Sequence, residues 1–145
     1  MWPLYALLAS ILWGVSYALI GNLLKTLHTQ TVILVELGLG VLFLLPFLLG
    51  NADFRSDLRI VASDGSIGKQ LLLAALVFNL ANFLIVFSVR QSNAVVVSLL
   101  EITYPLFVVL FSWLIFRENH LTGRTAVGGL LIMLGVALIY CKGGK

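Results

Sequence analysis

Residues 94–116 read AVVVSLLEITYPLFVVLFSWLIF, a run of 23 residues with a single charge, Glu101. A bilayer core of about 30 Å is crossed by roughly 20 apolar residues in an α-helix. Barrel strands would alternate apolar and polar positions in segments of about ten. This run is continuous, and lipid offers its backbone no outside partner, so it reads as a membrane-spanning helix.

Four further runs of the same kind follow on either side. Residues 2–24 carry no charge, residues 31–49 carry only Glu36, and residues 71–89 carry Asn79 and Asn82 but no charge. Residues 125–141 end before Lys142. The expected fold is therefore an all-α integral membrane protein of about five spans (2–24, 31–49, 71–89, 94–116 and 125–141), with residues 1–145 forming one transmembrane domain. Composition agrees. Of 145 residues 61% are hydrophobic and 10% charged, against about 25% charged in soluble domains. Too few polar residues remain to build a water-facing shell, so lipid is a partner by necessity.

The connections are short except one. Gly50–Gln70 holds Asp53, Arg55, Asp57, Arg59, Asp64 and Lys69. Phe54, Leu58 and Val61 would share a face if it were helical, but its charge density favours a solvated loop. Trp2 and Pro3 follow Met1 with no basic region, and the apolar run exceeds the 7–15 residues or so of a signal sequence, so the first span is expected to be retained. Trp2 and Tyr140 suit the two interfacial belts.

The net charge of +3 comes from nine scattered Lys and Arg residues, which form no nucleic-acid surface. Cys141 is the lone cysteine, and His28 and His120 sit in loops without metal-ligand spacing. No nucleophile–base pair is in evidence, so neither an enzyme nor a cofactor or metal site is expected.

Ionisable groups inside a membrane cost about 2.5–3.5 kcal/mol at a helix centre, which makes Glu36 and Glu101 candidates for substrate or ion binding. Glu101 is the stronger. Pro105 follows four residues later and lacks the N–H that would reach the Glu101 carbonyl, so a kink or hinge is expected there. Ser98, Glu101 and Tyr104 share a face at a spacing of three. Glu36 lies five residues into its span, beside Gly38 and Gly40. Asn79 and Asn82 either line a path or bond between helices; Trp13 and Tyr17, aromatics deep in the first span, could line a site, with packing the favoured reading for both and Trp13 kept as a weaker lining candidate. Ala6, Ser10, Gly14 and Ala18 recur every fourth residue in the first span, and Gly128, Gly129 and Gly135 lie in the fifth; both sets suggest close helix packing.

The run SNAVVVSLLEITYPLFVVLFSWLIFREN, followed by LTGRTAVGGLLIMLGVALIY, resembles the last two helices of an EamA-type repeat of the drug/metabolite transporter superfamily. The matching features are the small-residue start Ser92–Ala94, Pro105, the acidic Glu118, and the glycines from Gly128 to Gly135. The Ile11–Gly14 segment ILWG is similar to the family's first-helix Trp-Gly. The resemblance implies a secondary transporter of small metabolites or drug-like solutes in the cell's inner membrane. It also implies two five-helix repeats of opposite orientation, so the missing half would come from a second copy, as an inverted homodimer, or from a paralogous chain as a heterodimer. Glu36 stands about where the family often has an Arg, so no substrate transfers. A non-transporting subunit that stabilises a partner, or a subunit of a lipid-linked sugar flippase, are the other readings.

Cytoplasmic loops are richer in Lys and Arg. Arg55, Arg59, Lys69, Arg117 and Arg124 fall on one side of a five-span layout, and Lys25, Arg90, Lys142 and Lys145 on the other. Five against four leaves two readings: an N-terminus inside with weak bias, or copies inserted both ways. A topology reporter fused to each end separates them. Dual insertion gives signal on both sides for either fusion, and one clean orientation removes it.

Overall fold

The structure is a computed structural model, and it describes residues 2–49, 51–117 and 122–142, with side chains through residue 138. Glu118, His120 and Lys145, and the side chains of Tyr140 and Cys141, lie outside the described residues. Among the described residues the secondary structure is helical without strands. In chain order the helices are α1 (Trp2–Leu23), α2 (Thr29–Leu48), α3 (Ala52–Ser63), α4 (Gly65–Gln91), α5 (Ala94–Glu101), α6 (Tyr104–Phe111) and α7 (Gly123–Lys142), with a π-helical turn at Ser112–Phe116 after α6. Trp2–Leu23, Thr29–Leu48, Gly65–Gln91 and Ala94–Phe116 are each long and apolar enough to cross a membrane, and Gly123–Leu138 is a shorter apolar helix.

The chain divides into two compact units, residues 18–91 and residues 1–17 with 92–145. In the first of these, α2 packs against α4, and α3 also packs against α4. Its buried side chains are Ile20, Leu24, Thr29, Val32, Val86 and Val89. All lie near the α1–α2 connection or the end of α4, where the Arg90 guanidinium donates to His28 Nδ1 at 3.4 Å. The long connection between the second and third spans is the main departure from expectation. It is not a solvated loop but a helix, α3, followed after Asp64 by an early start to α4. The caps explain this. Asn51 Oδ1 accepts the Asp53 N–H at 2.9 Å, satisfying a donor that a helix start leaves free. Asp64 then closes α3 through its own N–H to Ile60 and opens α4 by accepting the Ser66 N–H at 2.8 Å. Gly68 permits the corner: a Cβ there would stand 3.1 Å from the Val61 carbonyl oxygen.

In the other unit, α5 packs against α7. Asn93 caps α5, its Oδ1 accepting the Val96 N–H at 2.9 Å, so the fourth span begins where the sequence placed it. It is not one continuous helix. It breaks at Ile102 and Thr103, where the Thr103 N–H tightens onto the Leu100 carbonyl at 3.1 Å and Thr103 Oγ1 donates to the same carbonyl at 2.9 Å. Pro105 sits in the first turn of α6, where its missing N–H costs least. The kink expected at Pro105 is thus a full break just before it. The span ends at Arg117, whose left-handed backbone (φ 60°) ends the helix in a conformation that most residues adopt only at about 1–2 kcal/mol.

The glycines of α7 are unequal. A Cβ on Gly128 or Gly135 would meet nothing within 4 Å, whereas one on Gly129 would lie 2.9 Å from Leu106 Cδ2. Of the three α7 glycines read as packing positions, Gly129 is the one that meets a neighbouring side chain within this chain, because that position faces α6. The Ala6, Ser10, Gly14 and Ala18 stripe is exposed in this chain, and the buried side of α1 is the one carrying Tyr17 and Ile20. Overpacking costs about 1–3 kcal/mol, so Gly129→Ile is expected to lower stability by that amount. Gly135→Ala leaves it unchanged. Unfolding of both variants in the same detergent micelles checks the pair.

Candidate functional site

The break in the fourth span leaves Glu101 as the last residue of α5, half-buried. Its carboxylate accepts a hydrogen bond from the Tyr17 hydroxyl on α1. Tyr17 is buried, at 8% exposure. Trp13, one turn earlier on α1, lies against the Tyr17 ring with centroids 6.1 Å apart and a tilt of 42°. Trp13, Tyr17 and Glu101 thus form one connected group.

The remaining candidates are placed differently. Ser98 donates its hydroxyl to the Val95 carbonyl at 3.0 Å, so that oxygen is occupied within its own helix. Tyr104 begins α6 and is 61% exposed. Because the helix is interrupted between Glu101 and Tyr104, the stripe expected from Ser98 through Glu101 to Tyr104 does not run along one continuous helix. Asn79 is exposed on α4, and its amide donates to the Ala75 carbonyl of the same helix at 2.8 Å. Glu36 is half-buried on α2. Both belong to the other compact unit.

Beyond the break, α6 and α7 border an apolar groove of about 670 Å³, lined by Pro105, Leu106, Val109, Trp113, Ala126 and Gly129 among others. Gly129 lets the two helices meet at its floor. Among the described residues no three of the His, Cys, Asp and Glu side chains come together to hold a metal.

What the group can do follows from its chemistry. A carboxylate inside an apolar span needs a donor, and a tyrosine hydroxyl supplies one without adding charge. The pair can hold, exchange or release a proton or a cation at the point where the backbone of the span is interrupted. Helices of this length and apolarity define a polytopic helical membrane protein. The sequence profile of the EamA-like transporter family matches residues 1–141, and the chain belongs to that family. Its members transport small solutes and are typically not enzymes. Searches of the curated proteins and of the solved structures find no match.

A hydrogen bond to a charged group contributes about 1.5–3 kcal/mol in water, and bonds between membrane helices average about 0.6. Tyr17→Phe and Glu101→Gln are each expected to destabilise the protein. In a double-mutant cycle they should couple by about 0.5–2 kcal/mol, since they share one bond. Thermal unfolding of the four proteins measures this, and additive effects would mean that the two side chains act separately.

Proposed function

We propose that the chain is one repeat of a secondary transporter that moves small cationic or proton-coupled solutes by alternating access, with Glu101 as the substrate- or proton-binding carboxylate. The carrying observation is the half-buried Glu101 at the break of the fourth span, bonded to Tyr17. Repeat transporters bind near the midplane, at discontinuous helices. The charge of the spans supports the substrate class. Glu36 and Glu101 are the charged residues within the five apolar runs, and none of those runs contains Lys or Arg. A path built from these helices attracts cations and repels anions.

The Tyr17 hydroxyl holds the Glu101 carboxylate. A cation or proton arriving at Glu101 competes for the oxygen that Tyr17 occupies, and the break at Ile102–Thr103 gives the two halves of the span a place to change their angle. Tyr104, Trp13, Asn79 and Glu36 are proposed as lining residues, with Pro105 fixing the start of the second half.

A second repeat completes the path in this reading, as an inverted copy or a related chain, within the cell's inner membrane. Two observations support it. No more than 11% of the most apolar window of any candidate span is buried inside the chain, and the Lys and Arg residues are nearly balanced across the layout.

In proteoliposomes carrying an imposed pH gradient, uptake of organic cations is expected to fall about tenfold or more with Glu101→Gln, a loss of about 1.4 kcal/mol or more in binding or barrier. The pH dependence of any residual uptake should flatten. Unchanged flux with an unchanged pH profile would remove Glu101 from the mechanism.

A further inference from the structure

Helix α3 has a charge pattern that its own fold does not use. Asp53, Arg55, Asp57 and Arg59 alternate in sign every second residue. Neighbours on a helix surface are three or four residues apart, so this spacing forms no opposite-charge pair within α3. It stacks Arg55 over Arg59 along one edge and Asp53 over Asp57 along the other, like charges that repel by about 0.2–0.5 kcal/mol per pair. Asp53 has a use, since it lies in the first turn at the positive end of the helix dipole. The arginine edge has none within the helix.

The apolar residues are divided in the same way. Phe54 and Val61 are half-buried on the side where Gly68 of α4 approaches the Val61 carbonyl. Leu58, three residues from Arg55 and next to Arg59, is 51% exposed. Leu58 therefore lies uncovered at the margin between the half-buried side of Phe54 and Val61 and the edge that carries the two exposed guanidinium groups.

The tethers fix where this edge sits. The apolar run of α2 ends at Leu49, three residues before α3 begins, and that of α4 begins at Leu71. Gly65–Gln70 adds about 9 Å of helix before that apolar run. A headgroup layer is about 5–8 Å thick per leaflet. The start of α3, three residues past the end of the α2 apolar run, falls at the depth of this layer, and the capped corner at Asp64, where α3 packs on α4, falls at its outer edge, so the bilayer surface is the nearest one to α3.

We propose that α3 is a lipid-interface anchor, in which Leu58 enters the boundary of the acyl chains and Arg55 with Arg59 binds the phosphates of anionic phospholipid headgroups. A guanidinium pair one turn apart suits phosphate, because each offers a planar fork of donors. The leucine supplies the apolar contact that holds an amphipathic helix in the interface plane.

Nitroxide labels on the full chain test this, placed singly at Leu58→Cys and, on the opposite side of the helix, Ser56→Cys, with Cys141→Ser in both. The reagents are molecular oxygen, which partitions into lipid, and a water-soluble nickel chelate. In vesicles of phosphatidylcholine with phosphatidylglycerol, the oxygen-to-nickel accessibility ratio at 58 is expected to exceed that at 56 about fivefold, as for a helix lying in the interface. That contrast should shrink in pure phosphatidylcholine and with Arg55→Gln/Arg59→Gln, and persist with Arg55→Lys/Arg59→Lys. Equal ratios at 56 and 58 in the anionic vesicles would overturn the lipid seat. A contrast equally large in pure phosphatidylcholine would overturn the preference for anionic headgroups, even if the glutamine variant fails to fold. Shielding of 58 from both reagents would mean that protein, not lipid, covers this edge.

Discussion

A bilayer core offers a peptide group nothing to bond with. Each unsatisfied N–H or C=O there costs several kcal/mol, so the apolar runs of this chain become helices whatever the local propensity of their residues. Three of the eight residues of α5 are valines in succession, although β-branched residues lose side-chain freedom in helices and favour strands in water. The solvent decides, and the few polar groups that remain must find partners inside the protein.

Glu101 shows how demanding that requirement is. It ends α5 beside a break, and Pro105 has no N–H to offer its carbonyl. The break is stabilised locally, with Thr103 bonding twice to the Leu100 carbonyl. The carboxylate is satisfied from 84 residues away by Tyr17. A single site thus combines the two features that a bilayer penalises, an interrupted backbone and a charge. Proteins retain such combinations where an ion or substrate must pass. Membership of a transporter family gives the combination a use.

Much of this fold was legible in the sequence because hydropathy and length are sufficient in lipid. The runs from Trp2, Thr31 and Leu71 each fall on one helix and that from Ala94 on two helices parted at Ile102–Thr103, with α2 beginning two residues earlier and α4 six residues earlier than the apolar patterns suggest. Asp64 and Gly65 set the second of these boundaries through capping, which hydropathy does not register. Residues 52–63 were hidden by their charges, which look like a loop until they are sorted into two edges. The site was half legible. Glu101 and Pro105 stand out in any apolar run, but the exact place of the break depends on a threonine hydroxyl. Tyr17 has no local mark at all, since its role comes from a partner on a distant helix. The glycine that packs in α7 could not be told from its neighbours, because spacing alone does not say which side of a helix faces another.

In the proposed transporter Glu101 lies on a path that water and solute reach, rather than serving as a bond between helices. The most direct measurement is the reaction of Glu101→Cys, in a Cys141→Ser background, with a membrane-impermeant thiol reagent in native vesicles. A transport site predicts that position 101 is modified and that a transported cation slows the modification. A cysteine at this position that stays unreactive in sealed and in opened vesicles, with the protein folded, would contradict the account.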